Sequence, residues 1–245
     1  MEVYEPLNVP KAIADNIWVV DGSIVRMSMY AVTIPFTTRM TIVRLENGDL
    51  WCHSPIELTP ELQARVDALG PVRHLISPNK IHYAHIQSWV EAYPEAIAWA
   101  SPGVRDRAAH QQIPVTFHHE LQDAPPVQWA EEIDQLHFQG SRFMDEVVFF
   151  HRSSHTLILA DLIENFELNK VSPAFGALLK VVGVTAPHGK TPLDLRMTFW
   201  GREGEARPCF ERMMQWQPEK IVLSHGQCFE KNGTEELQRA FQWVQ

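Results

Sequence analysis

Three stretches of the 245-residue sequence set a histidine or an acid directly after a short apolar run. The run "VRHLIS" leads into "PNKIHYAHI", which carries His82 and His85. The run "TLILA" ends on Asp161, and "IVLS" ends on His225. If the runs are strands of a layered α/β fold, their ends share one edge, where loops converge and ligands bind. Two or three imidazoles and one carboxylate at such an edge suit a first-row divalent ion. They offer borderline nitrogen donors and a hard oxygen, and leave a position open for water. Each residue alone has an ordinary reading, Asp161 as a turn residue or helix cap and His225 as a hydrogen-bonded neighbour of Gly226. Together, and in this order, they favour a metal set.

Other histidines fit that chemistry less well. His151 and His155 have the HxxxH spacing of a helical zinc site but flank the "RSS" turn of an expected hairpin, and no HExxH occurs. His118 and His119 fall in a polar loop and His110 at a helix end, so all three are expected to be exposed. GxSxG, P-loop and GxGxxG motifs do not occur, which leaves serine hydrolases and nucleotide folds without support.

The elements that position these residues can be read from pattern. "NIWVVDG" and "RMTIVRLENGDLWCHSP" are β-rich, the second folded about an "ENGD" turn. "TPELQARVDAL" starts a helix with Thr59 as N-cap and Pro60 at the first helical position. "AHIQSWVEAYP" is helical and "EAIAWA" is a strand. "SPGVRDRAAH" repeats the helix start at Ser101 and Pro102. "DEVVFFHRSSHTLILAD" reads as a hairpin, "SPAFGALLKVVGV" as a helix within a loop-rich stretch over 162–195, and "EARPCFERMMQWQPEKIVLSHG" as a helix followed by a buried strand. A last helix is expected over 235–245. The alternation indicates a layered α/β arrangement in one domain, 1–245.

Apolar residues make up 45% and charged residues 21% of the chain, ordinary for a globular core, and the net charge is −9. That balance argues against nucleic acid as a partner, and no run of lysine and arginine suggests a membrane surface. No stretch reaches the roughly 18 apolar residues of a membrane helix. The acidic, proline-interrupted start is unlike a signal peptide. Three unpaired-looking cysteines, Cys52, Cys209 and Cys228, point to a reducing, cytoplasmic setting.

"NKIHYAHI", "LILADL" and "LSHG", in this order, resemble the metal-binding motifs of the metallo-β-lactamase superfamily. "SPNKIH", "EAYPEAIAWASPG" and "EVVFFHRSSHTLILADL" resemble an uncharacterised, divergent branch of it. The resemblance runs from "NIWVVDG" to "SHG" and implies a four-layer αββα sandwich. It puts His82 and His85 on the second and third histidines of the family's Thr-His-x-His-x-Asp-His loop. It puts Asp161 on the bridging aspartate and His225 on the final histidine. Lys80 stands where the loop's first histidine belongs and Ala84 where its aspartate belongs. Gly140 or Ser141 falls nearest the family's later histidine, and His137 reaches that place only in a shifted register.

One metal subsite therefore keeps only His82, while the other keeps His85, Asp161 and His225. The resemblance implies a hydrolase with one zinc or iron ion acting on a small ester, lactone or thioester. In that reading His82 is a fourth ligand, and His82 or Asp161 orients the attacking water. The competing expectation is a metal-free, non-catalytic protein that keeps the cleft. There Lys80 pairs with Asp161 in place of the missing cation and, with Arg142, faces an anionic small-molecule ligand. Substrate and oligomeric state are not legible.

Overall fold

The computed structural model describes residues 1–29 and 32–245. Among these, the strands form two sheets. The larger has seven strands in chain order: β1 (Lys11–Ala14), β2 (Ile17–Met29), β3 (Val32–Arg44), β4 (Leu50–His53), β5 (Val72–Ile76), β6 (Ile97–Ala100) and β7 (His119–Glu120). β1 to β4 pair antiparallel and β4 to β7 pair parallel. The smaller sheet runs in the order β11 (Lys220–Val222), β10 (Thr156–Ile158), β9 (Glu146–His151), β8 (Ile133–Phe138). β10 and β11 are parallel and the other pairs antiparallel.

Successive side chains of a strand point to opposite faces, and that alternation separates three cores. Leu50 and Cys52 of β4 and Leu75 of β5 pack with Leu62 and Val66 of α1 (Pro60–Asp67), Ile86 and Trp89 of α2 (Ile86–Ala92), and Val104 and Ala108 of α3 (Val104–His110). Trp51 and Ile76, on the opposite face, meet Val147 and Phe149 of β9 and Ile158 of β10 between the sheets. Val148 and Phe150 then face away, onto Leu195 of α5 (Leu193–Met197), Phe210 and Met213 of α6 (Glu203–Gln215), and Leu237 of α7 (Gly233–Ala240). Helices, sheet, sheet and helices make the four-layer αββα sandwich that the resemblance implies. β9 is buried along its whole length, so "EVVFFH" reads as a continuous run rather than an alternation. Each fully buried Phe or Trp in these layers contributes on the order of 1.5–3 kcal/mol of transfer free energy.

Two helix starts carry a side-chain cap. The Thr59 hydroxyl accepts the Leu62 N–H, and Ser172 caps α4 (Pro173–Val182) through the Phe175 N–H. α3 is a correction: the expected start at Ser101 and Pro102 gives way to Gly103, which sits at φ 75° as the N-terminal flanking residue. The last helix also differs, running over Gly233–Ala240 before a short 3₁₀ turn at Gln242–Val244. Among the described residues no helix is long and apolar enough to cross a membrane.

Candidate metal centre

The chain leaves β5, β10 and β11 at the same end of the sandwich, and each exit delivers one side chain to a common point. One ligand atom from each of His82, Asp161 and His225 lies within 4.8 Å of the others. His82 Nε2 is 3.1 Å from Asp161 Oδ2, and His225 Nε2 is 3.1 Å from Asp161 Oδ1. Asp161 and His225 are buried and His82 nearly so.

The distal ring nitrogens are fixed. His225 Nδ1 lies 2.8 Å from the Thr37 carbonyl oxygen of β3. A carbonyl only accepts, so Nδ1 carries the proton, and a neutral His225 turns the lone pair of Nε2 toward a carboxylate. Two lone pairs 3.1 Å apart repel unless a cation or a second imidazole proton lies between them. His82 Nδ1 meets the Ser54 hydroxyl at 2.6 Å, just past the end of β4. Phe36 and Phe166 pack on the His225 ring, with centroids 5.3 and 6.4 Å away, and shield it from water.

Asn79 organises the acid. Its amide donates to Asp161 Oδ2 at 2.7 Å and to Glu146 Oε2 at 3.1 Å. Its carbonyl accepts the Ile81 and His82 N–H groups. All the hydrogen-bonding capacity of the amide nitrogen is used, and one side chain sets both the His82 turn and the Asp161 carboxylate. Glu146, at the start of β9, accepts the N–H of Ala160 and of Asp161, each at 2.8 Å, and so anchors the aspartate's backbone.

Burial alone would raise the Asp161 carboxyl, but the charges and hydrogen bonds that His82 and His225 offer when they are protonated toward it outweigh the burial and hold it well below the usual range. Glu146 is pushed the other way, to about 7, by burial and by the charge of Asp161, against the N–H groups and amide bonded to it. Glu164, three residues on, is pushed to about 8 by burial and by its acidic neighbours Asp161 and Asp194, while His225 opposes the rise. His53, whose ring stacks on Trp51, is driven down to about 3 by burial and by His82, with Asp161 opposing. One carboxylate of this group is thus kept charged while its acidic neighbours are pushed toward the neutral form.

His82, Asp161 and His225 are brought together as expected, but the other two candidates stand apart. His85 is the residue that precedes α2, and it is not one of the three whose ligand atoms converge. Its Nε2 is buried with no hydrogen-bond partner among the described residues, and burial lowers its pKa. Lys80 lays its ammonium 4.4 Å from the centre of the Phe143 ring. Burial and the nearby Arg107 lower the Lys80 pKa against the pull of Asp145. The expected Lys80–Asp161 pair is not formed among the described residues: Lys80 turns to Phe143, and Asp161 Oδ2 accepts the Asn79 amide instead. Arg142 donates to the Trp200 carbonyl, and His137 meets Asp145 at 3.3 Å, away from the three residues.

Asn79, Glu146, Ser54 and Thr37 were not foreseen. Glu146 carried a signal, a charged residue opening the apolar run Val147–Phe150, where an acid needs a buried partner.

The donor set fits a divalent ion. Bonds of about 2.0–2.2 Å to nitrogen and oxygen at tetrahedral angles place ligand atoms about 3.3–3.6 Å apart, and His82 Nε2 and His225 Nε2 lie 3.3 and 3.1 Å from the same oxygen, Asp161 Oδ1, close to that size. The Thr37 and Ser54 contacts on the distal nitrogens are the orienting partners that metal-bound histidines ordinarily have.

A family model described as "Domain of unknown function (DUF4336)" matches residues 14–180. No curated protein matches the sequence. Among solved structures, the DIM-1 metallo-β-lactamase exposed to ceftazidime is similar at 9% identity and a TM-score of 0.62, over 100% of this chain and 99% of that one. The metallo-β-lactamase FIM-1 from Pseudomonas aeruginosa, in its mono-zinc form, is similar at 14% identity and a TM-score of 0.59, over 100% and 97%. Rubredoxin oxygen:oxidoreductase from Desulfovibrio gigas reaches 13% identity and 0.62 over 96% of this chain and 61% of that one. At these identities the likeness shows a common fold, that of the metallo-β-lactamases.

Proposed function

The chain belongs to the DUF4336 family, a domain of unknown function, and from that premise we propose that it is a metal-dependent hydrolase with one zinc or iron ion. Its ligands are His82 Nε2, the Asp161 carboxylate and His225 Nε2. The observation that carries this reading is the His225 ring, whose Nδ1 is committed to the Thr37 carbonyl while Nε2 faces Asp161 at 3.1 Å. That arrangement calls for a positive centre beside both atoms. A mono-zinc metallo-β-lactamase among the structures of like fold is consistent with a single ion.

A divalent ion held there supplies a Lewis acid that polarises a carbonyl and makes a bound water acidic near neutral pH. The Asn79 amide aims the Asp161 carboxylate by donating to Oδ2, while His225 Nε2 faces Oδ1. Ser54 and Thr37 fix the planes of the two imidazoles. Phe36 and Phe166 exclude bulk water on the His225 side, which strengthens every charge interaction inside. Small esters, lactones and thioesters are the proposed substrates, since their cleavage needs carbonyl polarisation and a water nucleophile and no further cofactor. The proposed setting is the cytoplasm, consistent with three free cysteines.

The test is hydrolysis of p-nitrophenyl acetate, γ-butyrolactone and S-acetylthiocholine by protein loaded with zinc or iron(II). Turnover of at least one probe, abolished by chelator and by His225→Ala, supports the reading. Equal rates for loaded protein, stripped protein and the variant contradict it.

A further inference from the structure

β3 grips the segment that carries His225 at two points. The Thr37 carbonyl takes the His225 Nδ1 proton at 2.8 Å. Two residues on, Arg39 reaches past the ring: its Nη1 donates to the Leu223 carbonyl at 2.8 Å and to the Gly226 carbonyl at 2.6 Å, with the Cys228 sulfur at 3.3 Å. The two carbonyls bracket His225 in sequence. Arg39 is itself buried and fixed by Asp21 of β2, whose Oδ1 accepts Nε at 2.8 Å and Nη2 at 2.7 Å. Asp21 Oδ2 takes Lys11 Nζ of β1 at 2.5 Å. The same segment is held from its far side by Asn165, whose N–H donates to the His225 carbonyl and whose amide donates to the Gln227 carbonyl. Gly226 completes the fit: at φ 90° an added Cβ would lie 2.2 Å from the Asn165 carbonyl oxygen.

Neutralising Asp21 would require only one face of the guanidinium. The opposite edge is spent on main-chain carbonyls either side of one imidazole, 184 and 187 residues away in sequence. A planar fork satisfies an acid and two carbonyls at once, which a lysine ammonium on a flexible stem does not. We infer that Arg39 is a positioning residue, fixing the Leu223–Gly226 turn so that His225 keeps Nδ1 on Thr37 and Nε2 on Asp161. The inference rests on the metal-site reading for its purpose but not for its geometry, and its test separates the two.

The experiment uses the full chain and two readouts, the His225 tautomer by long-range ¹H–¹⁵N NMR without metal, and cobalt(II) affinity with its visible spectrum. Wild type is expected to show His225 protonated on Nδ1. Arg39→Lys keeps a cation beside Asp21 and is expected to fold. It should show a mixed tautomer, and cobalt(II) binding weakened by about tenfold or more with altered absorption bands. Arg39→Met should exceed it in both; if that variant does not fold, Arg39→Lys decides alone. A lower melting temperature with an unchanged tautomer and affinity within about twofold of wild type overturns the inference, as does a wild-type His225 protonated on Nε2 alone. Failure of wild type to bind cobalt(II), with the tautomer still released in Arg39→Lys, removes the metal reading and leaves the positioning role standing.

Discussion

Two sets of histidines lie close together in this molecule and are handled in opposite ways. His53 and His74 sit in the aromatic layer between the sheets, His53 stacked on Trp51 and His74 edge-on to Trp129 with centroids 5.1 Å apart. Among the described residues no carboxylate meets either ring within ion-pair distance, and burial drives them down to about 3 and about 4. Trp99 donates its indole N–H to His74 Nδ1, as a neutral ring requires. His82 and His225 are also largely buried, yet each points Nε2 at Asp161 and has its other nitrogen engaged by oxygen. Burial alone makes a histidine a neutral packing element. Burial beside a carboxylate, with the distal nitrogen fixed, turns a histidine into a candidate ligand for a cation.

That contrast can be broken most severely at the carboxylate. Asp161→Ala should take the metal content of reconstituted protein from near one ion per chain to near zero, read by elemental analysis, while circular dichroism stays that of a folded sandwich. Retained metal would mean the histidines bind without their acid. Asn79→Ala is the next step down. It takes one donor from Asp161 and one from Glu146, so metal affinity should fall by about 10–100-fold, the usual cost of losing an orienting partner. Chemical denaturation should show a loss of about 1–3 kcal/mol from buried groups left unpaired.

The aromatic-layer histidines sharpen the comparison through acid. His74 is lowered to about 4 in the fold, chiefly by burial, against 6.5 unfolded. Its neutral form therefore contributes stability in full above pH 6.5, and that contribution is lost as pH falls toward 4, because the unfolded chain takes the proton first. The pH-dependent part amounts to about 3 kcal/mol. His74→Phe should flatten the stability profile between pH 6.5 and 4, measured by urea denaturation, and leave metal content unchanged. The smallest effect is expected at His85, which lies outside the convergent group: His85→Ala should change metal affinity by no more than about twofold in a titration.

Much of this was legible in the sequence because it is local. Period-two alternation through "LWCH" divides the side chains of β4 between two cores, and Thr59 before Pro60 marks the start of α1. The three convergent residues were legible because each follows a strand, and strand ends of one edge meet. What the sequence hid depends on contacts across the chain. Arg39 reaches a carbonyl 184 residues away, and Asn79 joins Glu146 and Asp161, 67 and 82 residues on. His85 shares a loop with His82, but it closes that loop as the residue before α2, which turns it to a different environment. Lys80 is likewise adjacent in sequence and not in space, since its stem runs to Phe143.

The most direct test is the metal content of tag-free protein after reconstitution with zinc or iron(II) and gel filtration, by inductively coupled plasma mass spectrometry. The account predicts close to one ion per chain, abolished in His225→Ala and unaffected in His85→Ala. Less than about a tenth of an ion per chain, or an ion lost with His85 and kept without His225, would contradict it.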